Sequence, residues 1–315
     1  MKAGRREAGA RRGPADRKGP EEASTAPGSS MAVVVASFRT LPLLEACLDS
    51  LEVARSRVDA PVVVARAGDG ADAEAVTEGR PGVAVVAAGP DAEVPRLRGV
   101  GIAAAPAVSW IAVTEDHCLA DPAWLERLRD VTGPDVDVVG GGMGNARPGA
   151  VEWAAYFSEY GFFASGRADA GDPPLLTGAN VAYSGRVASE VARQALAGDW
   201  ENTIHRRLHE AGAKLRWEPR ARVLQNGTYG VGGFCRDRFE HGRDYARTRL
   251  AGEAGAPRWL LAAGAPLLPL LLTARVGRAA AGEDPVAFLR ALPLTATFLG
   301  AWSLGEAVGY LQGRP

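Results

Sequence analysis

Glu115, Asp116 and His117 stand together directly after an apolar run, Trp110-Ile111-Ala112-Val113, that reads as a buried strand. Asp121-Pro122 then opens a helix over residues 123–128. The acidic cluster therefore falls at the carboxyl end of a strand, where open α/β sheets bind ligands. Glu115 and His117 are two apart, so on extended backbone their side chains leave from the same face. A carboxylate oxygen and an imidazole nitrogen can share one divalent metal, and this donor set suits manganese better than calcium. The same residues also read as an acidic loop with Asp121 as a helix N-cap, and the segment alone leaves both readings open.

Two further segments carry groups of this kind. Gly178 and Ala179 would let backbone approach a ligand closely, and Asn180 offers both a donor and an acceptor. Asp199-Trp200-Glu201 precedes a helix over residues 203–211 that Gly212 stops. The helix dipole favours carboxylates at such a start, so these acids also have an ordinary structural explanation.

The elements that must position these groups alternate. Residues 32–37, 61–65, 82–86, 110–113 and 136–142 read as strands, and residues 41–51 and 96–105 as helices between them. Leu44, Leu48 and Leu51 make one stripe of the first helix. Strand and helix in turn imply a mainly parallel sheet covered on both faces. Residues 214–217 and 221–224 read as short strands around Pro219. His205 and His209, four apart on one helix, are expected at the surface.

Composition narrows the class. A chain of 315 residues, 47% hydrophobic and 23% charged, has the balance of a globular protein. A formal net charge of -1 argues against nucleic-acid binding. Cys47, Cys118 and Cys235 are scattered and show no metal-ligand spacing, which fits a reducing compartment. Residues 1–30, rich in Arg, Gly, Pro, Ala and Glu and without an apolar run, read as a disordered extension. Residues 31–250 read as the main domain, and residues 251–315 as an apolar helical tail. Pro266, Pro269 and Pro293 interrupt the tail's apolar runs, so neither is a clean span of about 20 residues. It reads either as a buried helical hairpin or as an interfacial membrane anchor, with Arg258, Arg275, Arg278 and Arg290 snorkelling at its edges.

The order of these motifs resembles family 2 glycosyltransferases of the GT-A fold. Ser37-Phe38-Arg39 ends the first strand, and Arg98-Gly99-Val100-Gly101 follows on a helix. Glu115-Asp116-His117, Gly178-Ala179-Asn180, Trp200-Glu201 and Arg207-Leu208 before Gly212 then come in the family's sequence. The likeness covers about residues 31–250, and the tail over residues 301–311 is similar to the end of many bacterial members. It implies an α/β, Rossmann-like mixed sheet with helices on both faces, followed by the apolar helical tail.

The resemblance also implies roles. Glu115 and His117 fall on the metal positions of the Asp-x-Asp motif, for Mn2+ or Mg2+ bridging the donor's diphosphate. Glu201 falls at the catalytic base of an inverting transfer. Ser37, Phe38, Arg39 and Asp116 would contact the nucleotide, and Arg98 could pair with phosphate. Gly178, Ala179 and Asn180 would line the donor sugar or acceptor cleft. The family's Asp after the second strand is missing; Arg66 stands near its place and is assigned to the donor. Gly99 replaces the usual Asn, and Trp200 replaces an acid before Glu201.

Arg243 and Arg247, with Trp200, are candidates for an acceptor or phosphate clamp, against the alternative of a solvated basic helix face. The expected partners are a nucleotide-sugar donor, a glycan or lipid-linked acceptor and a membrane surface, with no nucleic acid. The expected place is the cytoplasm, at the inner face of the cell membrane. The competing expectation is a degenerate module that binds a nucleotide sugar without turnover.

Overall fold

The computed structural model describes residues 30–165, 176–252, 257–280 and 282–313. The expected disorder of the N-terminal extension falls on residues outside these, save Ser30.

Three valines with Met31, two alanines and Ser37 give β1 (Met31–Ser37), buried throughout as a central parallel strand requires. The chain continues through α1 (Leu41–Arg55), β2 (Val62–Arg66), the short α2 (Ala73–Thr77), β3 (Val83–Ala87), α3 (Val94–Ala104), β4 (Trp110–Glu115) and β5 (Cys118–Ala120). Next come α4 (Trp124–Val131), β6 (Val138–Asn145), α5 (Ala150–Tyr160), β7 (Asn180–Ser184), α6 (Gly185–Leu196), α7 (Glu201–Glu210) and β8 (Leu215–Gln225). Among the described residues there follow α8 (Val231–Gly252), α9 (Arg258–Gly264), α10 (Leu268–Ala280) and α11 (Pro285–Gln312).

The strands form one sheet in the order β3-β2-β1-β4-β7-β6-β8-β5. β1 to β4 pair in parallel, β7 runs antiparallel to both β4 and β6, and β5 runs antiparallel to β8. This is the expected mixed sheet, with helices on both faces. Alternation along β1 sends Met31, Val33 and Val35 to the face covered by α1, α4 and α5. Val34 points to the other face, with Ile102 of α3, Val191 of α6 and Ile204 of α7.

Two expectations change. The two short strands around Pro219 are one strand, β8. Its ladder to β6 jumps between Gly141 and Met143, so Pro219 sits in the irregular stretch where no ladder hydrogen bond is needed from it. His205 is wholly buried rather than at the surface.

The tail helices pack on the domain, as the reading of a buried helical hairpin expects, but only in part. Phe298 of α11 meets Phe234 of α8 at 4.6 Å, and Phe288 meets Phe157 of α5 at 5.2 Å. Val276, Ala280, Ala291 and Phe298 belong to the same core as α1 and β1. α8 and α11 cross closely because a side chain on Gly242, Gly305 or Gly309 would strike the opposing backbone. The outer faces of the same tail helices remain exposed and apolar.

Candidate functional site

β1 and β4 are parallel neighbours whose ends lie side by side, Ala36 opposite Glu115. Glu115 is the last residue of β4 and Asp116 the first of the turn after it, and the two engage different partners. Asp116 is fully buried, and its Oδ2 accepts from Ser37 Oγ (2.9 Å), Phe38 N (2.8 Å) and Arg39 N (2.6 Å). One carboxylate thus fixes the loop after β1. Arg66, at the end of β2, donates through Nη1 to Ser37 Oγ (2.8 Å) and to the Arg39 carbonyl (2.9 Å). Its other nitrogens hold Asp72, whose carboxyl these hydrogen bonds keep below the usual carboxylate value.

Glu115 faces α3. Arg98 of that helix is only 7% exposed; one terminal nitrogen bonds Glu115, and the other bonds Glu201 Oε2 at 2.6 Å. Glu201 is the first residue of α7, on a different element and 103 positions away. Burial would raise its pKa, but the charge and hydrogen bond of Arg98 outweigh that and hold it below the ordinary glutamate value. α3 reaches this position because it lies very close to its neighbours. A Cβ on Gly99 would come 2.8 Å from the Leu196 nitrogen of α6, and one on Gly101 would collide with Val34 of β1. Gly178 is the seat of the guanidinium, since any side chain there would strike Arg98 itself.

His117 is buried against the ring of Phe38, edge-on at 5.8 Å. Its Nε2 lies 3.6 Å from Glu115 Oε2 and 3.4 Å from the Tyr160 hydroxyl. Its Nδ1 faces Asp116 Oδ1 at 3.8 Å, and both atoms are buried without a hydrogen-bond partner. Burial would lower the pKa of this ring, but Asp116 and Glu115 outweigh it and hold it above the ordinary histidine value. A carboxylate behind Nδ1 and another beside Nε2 is a donor set that can present an imidazole and one carboxylate oxygen to a divalent cation. Among the described residues no group of three or more His, Cys, Asp or Glu side chains could hold a metal by itself. An ion held by this pair would have to take most of its ligands from a bound molecule and water.

The structure adds residues to this cleft that the sequence motifs do not flag. Tyr160 arrives at the end of α5, a helix whose signal was Val151, Ala154, Ala155 and Ser158 at helical spacing. The segment after β8 ties in through Asn226, whose N–H donates to the His117 carbonyl at 2.7 Å. Tyr229 then places its ring 6.0 Å from the Arg39 guanidinium, which also lies 4.8 Å from the Phe38 ring. Tyr229 accepts from Gln225 Nε2 at 2.5 Å.

Other expected site residues lie elsewhere or are already engaged. Asn180, expected to line the cleft, donates to the carbonyls of Gly142 (2.9 Å) and Ala221 (2.8 Å) and accepts from Trp124 Nε1 (2.8 Å). It locks β7 to β6 and β8, and Ala179 beside it is buried in the core. Arg98, expected on phosphate, has both terminal nitrogens on carboxylates. Arg243, expected in a clamp, pairs with Glu240 and Asp244 of its own helix, and Arg247 Nε is buried without a partner. Trp200 does come near α8, with its ring 5.9 Å from that of His241. His205 accepts from Leu176 N through Nδ1 (3.4 Å) and meets the Tyr183 hydroxyl through Nε2 (2.8 Å). Burial pushes its pKa down to about 4.

No protein-family model matches the chain, and no curated protein does. Three solved structures illustrate what it is similar to. Against 4-diphosphocytidyl-2C-methyl-D-erythritol synthase from Anaerococcus prevotii the TM-score is 0.42 at 10% identity, covering 64% of this chain and 91% of that one. Against GalNAc-T7 with UDP, GalNAc and Mn2+ it is 0.45 at 12% identity, covering 62% and 43%. Against glucosyl-3-phosphoglycerate synthase from Mycobacterium tuberculosis with Mn2+ and UDP it is 0.40 at 15% identity, covering 65% and 74%. Scores and identities this low decide nothing about activity, which has to be read from the cleft between β1, β4, α3 and α7.

Proposed function

We propose that this chain is a membrane-associated, metal-dependent inverting glycosyltransferase that moves a sugar from a nucleoside-diphosphate donor to an acceptor hydroxyl, in glycan or glycolipid assembly. The observation that carries this reading is Arg98, which ties the strand-end Glu115 and the helix-start Glu201 into one cleft. A metal-side carboxylate and a candidate base that lay apart would have pointed to a degenerate fold. The order of motifs from Ser37 to Gly212 supports the same reading.

Glu115 and His117 would hold Mn2+ or Mg2+, which supplies positive charge for the donor diphosphate and for the leaving group. Ser37, Phe38 and Arg39, shaped by Asp116 and Arg66, form the loop against which the nucleotide is placed. Glu201 takes the proton of the acceptor hydroxyl as that oxygen bonds to the anomeric carbon. The bond from that carbon to the diphosphate oxygen breaks with its electron pair, and the nucleoside diphosphate departs from the opposite face. Arg98 keeps Glu201 ionised, as a base must be before transfer. Gly178 serves by seating Arg98, and Trp200 with His241 forms a wall beside Glu201 for the acceptor.

A second reading has one observation in its favour: Arg98 already occupies an oxygen of Glu201, which suits a module that binds donor without turnover. Thermal unfolding of residues 31–315 with UDP, GDP, dTDP and CDP, with and without Mn2+, tests both. A ligand at about 100 times its dissociation constant adds roughly 2.7 kcal/mol to the native state. One nucleotide stabilising only with Mn2+, together with sugar transfer that Glu201→Gln abolishes while donor binding persists, is the expected result. Donor binding without transfer in the wild-type chain selects the second reading, and no stabilisation by any nucleotide refutes both.

A further inference from the structure

The large apolar side chains exposed among the described residues are concentrated in one place. All but three lie on α9, α10, α11 and the turn between the first two, and Trp259, Leu267, Leu270, Leu271, Leu289 and Leu304 are each more than half exposed. Two helical stretches here, residues 258–280 and 285–312, are long and apolar enough to cross a bilayer by length and composition. Their packing sets a limit on how they can do so.

α11 is fixed along its length to the folded domain. Gly305 and Gly309 press on the backbone of Phe239 and Arg243, and Gly242 presses on that of Trp302. The partner helix α8 carries Arg236, Asp237, Arg238, Glu240, Arg243 and Asp244 over nine consecutive positions. If α11 crossed the bilayer with this seam intact, those charges would enter the hydrocarbon, where each is costly. α10 is tied down at its end, where Val276 and Ala280 are wholly buried and Val276 lies against Gly161.

Among the described residues of α9, α10 and α11 and the turns between them, the exposed charges are all arginines. Arg258, Arg278 and Arg290 are exposed. The acids of residues 258–313 turn inward. Glu283 pairs with Arg222, Asp284 caps α11 by accepting from Ala287 N, and Glu306 accepts from Trp302 and Tyr310. An apolar face whose described rim carries arginine is complementary to anionic lipid.

We propose that the outer faces of α9, α10 and α11 form a docking surface for one leaflet of an anionic bilayer, and that the tail lies in that leaflet without spanning it. This rests on the membrane association proposed above. It adds that the domain binds from one side only.

The test uses the full chain and vesicles of phosphatidylcholine with or without phosphatidylglycerol. Flotation with the anionic vesicles is expected, weakened roughly fivefold for each of Arg258, Arg278 and Arg290 changed to Gln. Leu270→Glu with Leu271→Glu is expected to abolish flotation while the melting temperature stays unchanged, because both side chains are exposed. Single cysteines at Arg258 and Arg278, in a Cys235→Ser background, then report topology in sealed membranes from expressing cells, with the cytoplasmic face outward. A membrane-impermeant maleimide should label both. Labelling at one site only means the stretch spans, which overturns this inference and leaves membrane association standing. Absence of flotation with either vesicle removes membrane association itself. A stable dimer in solution that floats only after dissociation assigns the face to a second copy and also overturns the inference.

Discussion

Replacing Arg98 by Met removes a guanidinium that Glu115 and Glu201 share, and the two acids should respond differently. The Glu115 side chain is 6% exposed and the Glu201 side chain 23%. Leaving a buried carboxylate without its partner costs about 3–5 kcal/mol, and that is the expected loss on the Glu115 side. The half-buried Glu201 can turn to water, so its share is about 1 kcal/mol or less. Adding Glu115→Gln removes the stranded charge, and the double variant should recover to within about 2 kcal/mol of wild type, since a buried pair can be nearly neutral against an uncharged replacement. Urea unfolding at neutral pH for wild type, both single variants and the double variant measures this. A second readout follows from Glu201. Its pKa is held low by Arg98 against burial, so this carboxylate stays ionised as pH falls. Without Arg98 the acid limb of the proposed transfer should move to higher pH. An Arg98→Met variant that loses less than about 1 kcal/mol, or a double variant no more stable than the single one, would refute the assignment of Arg98 as the bridge.

Three further outcomes are expected. His205 is buried with its pKa pushed down to about 4, while an unfolded histidine takes up a proton near 6.5, so stability is full above that value and is lost as pH falls. Relative to His205→Gln, wild type should lose up to about 3 kcal/mol between the two values, and parallel pH–stability profiles would rule this out. Gly178→Ala should displace the Arg98 guanidinium and lower transfer and stability together; unchanged urea unfolding would show that the seat is not needed. Asp116→Asn keeps its size but weakens three acceptor contacts, so it should loosen the loop 37–39 and weaken nucleotide binding severalfold. Calorimetric titration against wild type checks that, and equal affinity would detach Asp116 from the donor site.

Much of the fold was legible in the sequence. Buried parallel strands are continuous apolar runs, and Ala32-Val33-Val34-Val35 or Trp110-Ile111-Ala112-Val113 can satisfy their backbone and hide their side chains in few other ways. The place of Glu115, Asp116 and His117 follows from where such a run stops. The pairing of strands was not legible: nothing in residues 180–184 says that β7 runs antiparallel between β4 and β6, because register and direction are set by partners distant in sequence.

What each site residue does was decided by tertiary structure alone. Asp116 and Glu115 are adjacent acids, yet one shapes the β1 loop and the other meets Arg98, because Glu115 ends β4 on the α3 side while Asp116 opens the turn that packs behind the β1 loop. The same holds for Asn180, whose amide locks the sheet, and for His205, buried although a surface position was expected. The sequence determined which residues are chemically able and which elements carry them. Only folding decided which met, since a guanidinium commits to the carboxylates that close packing through Gly99, Gly101 and Gly178 brings within reach.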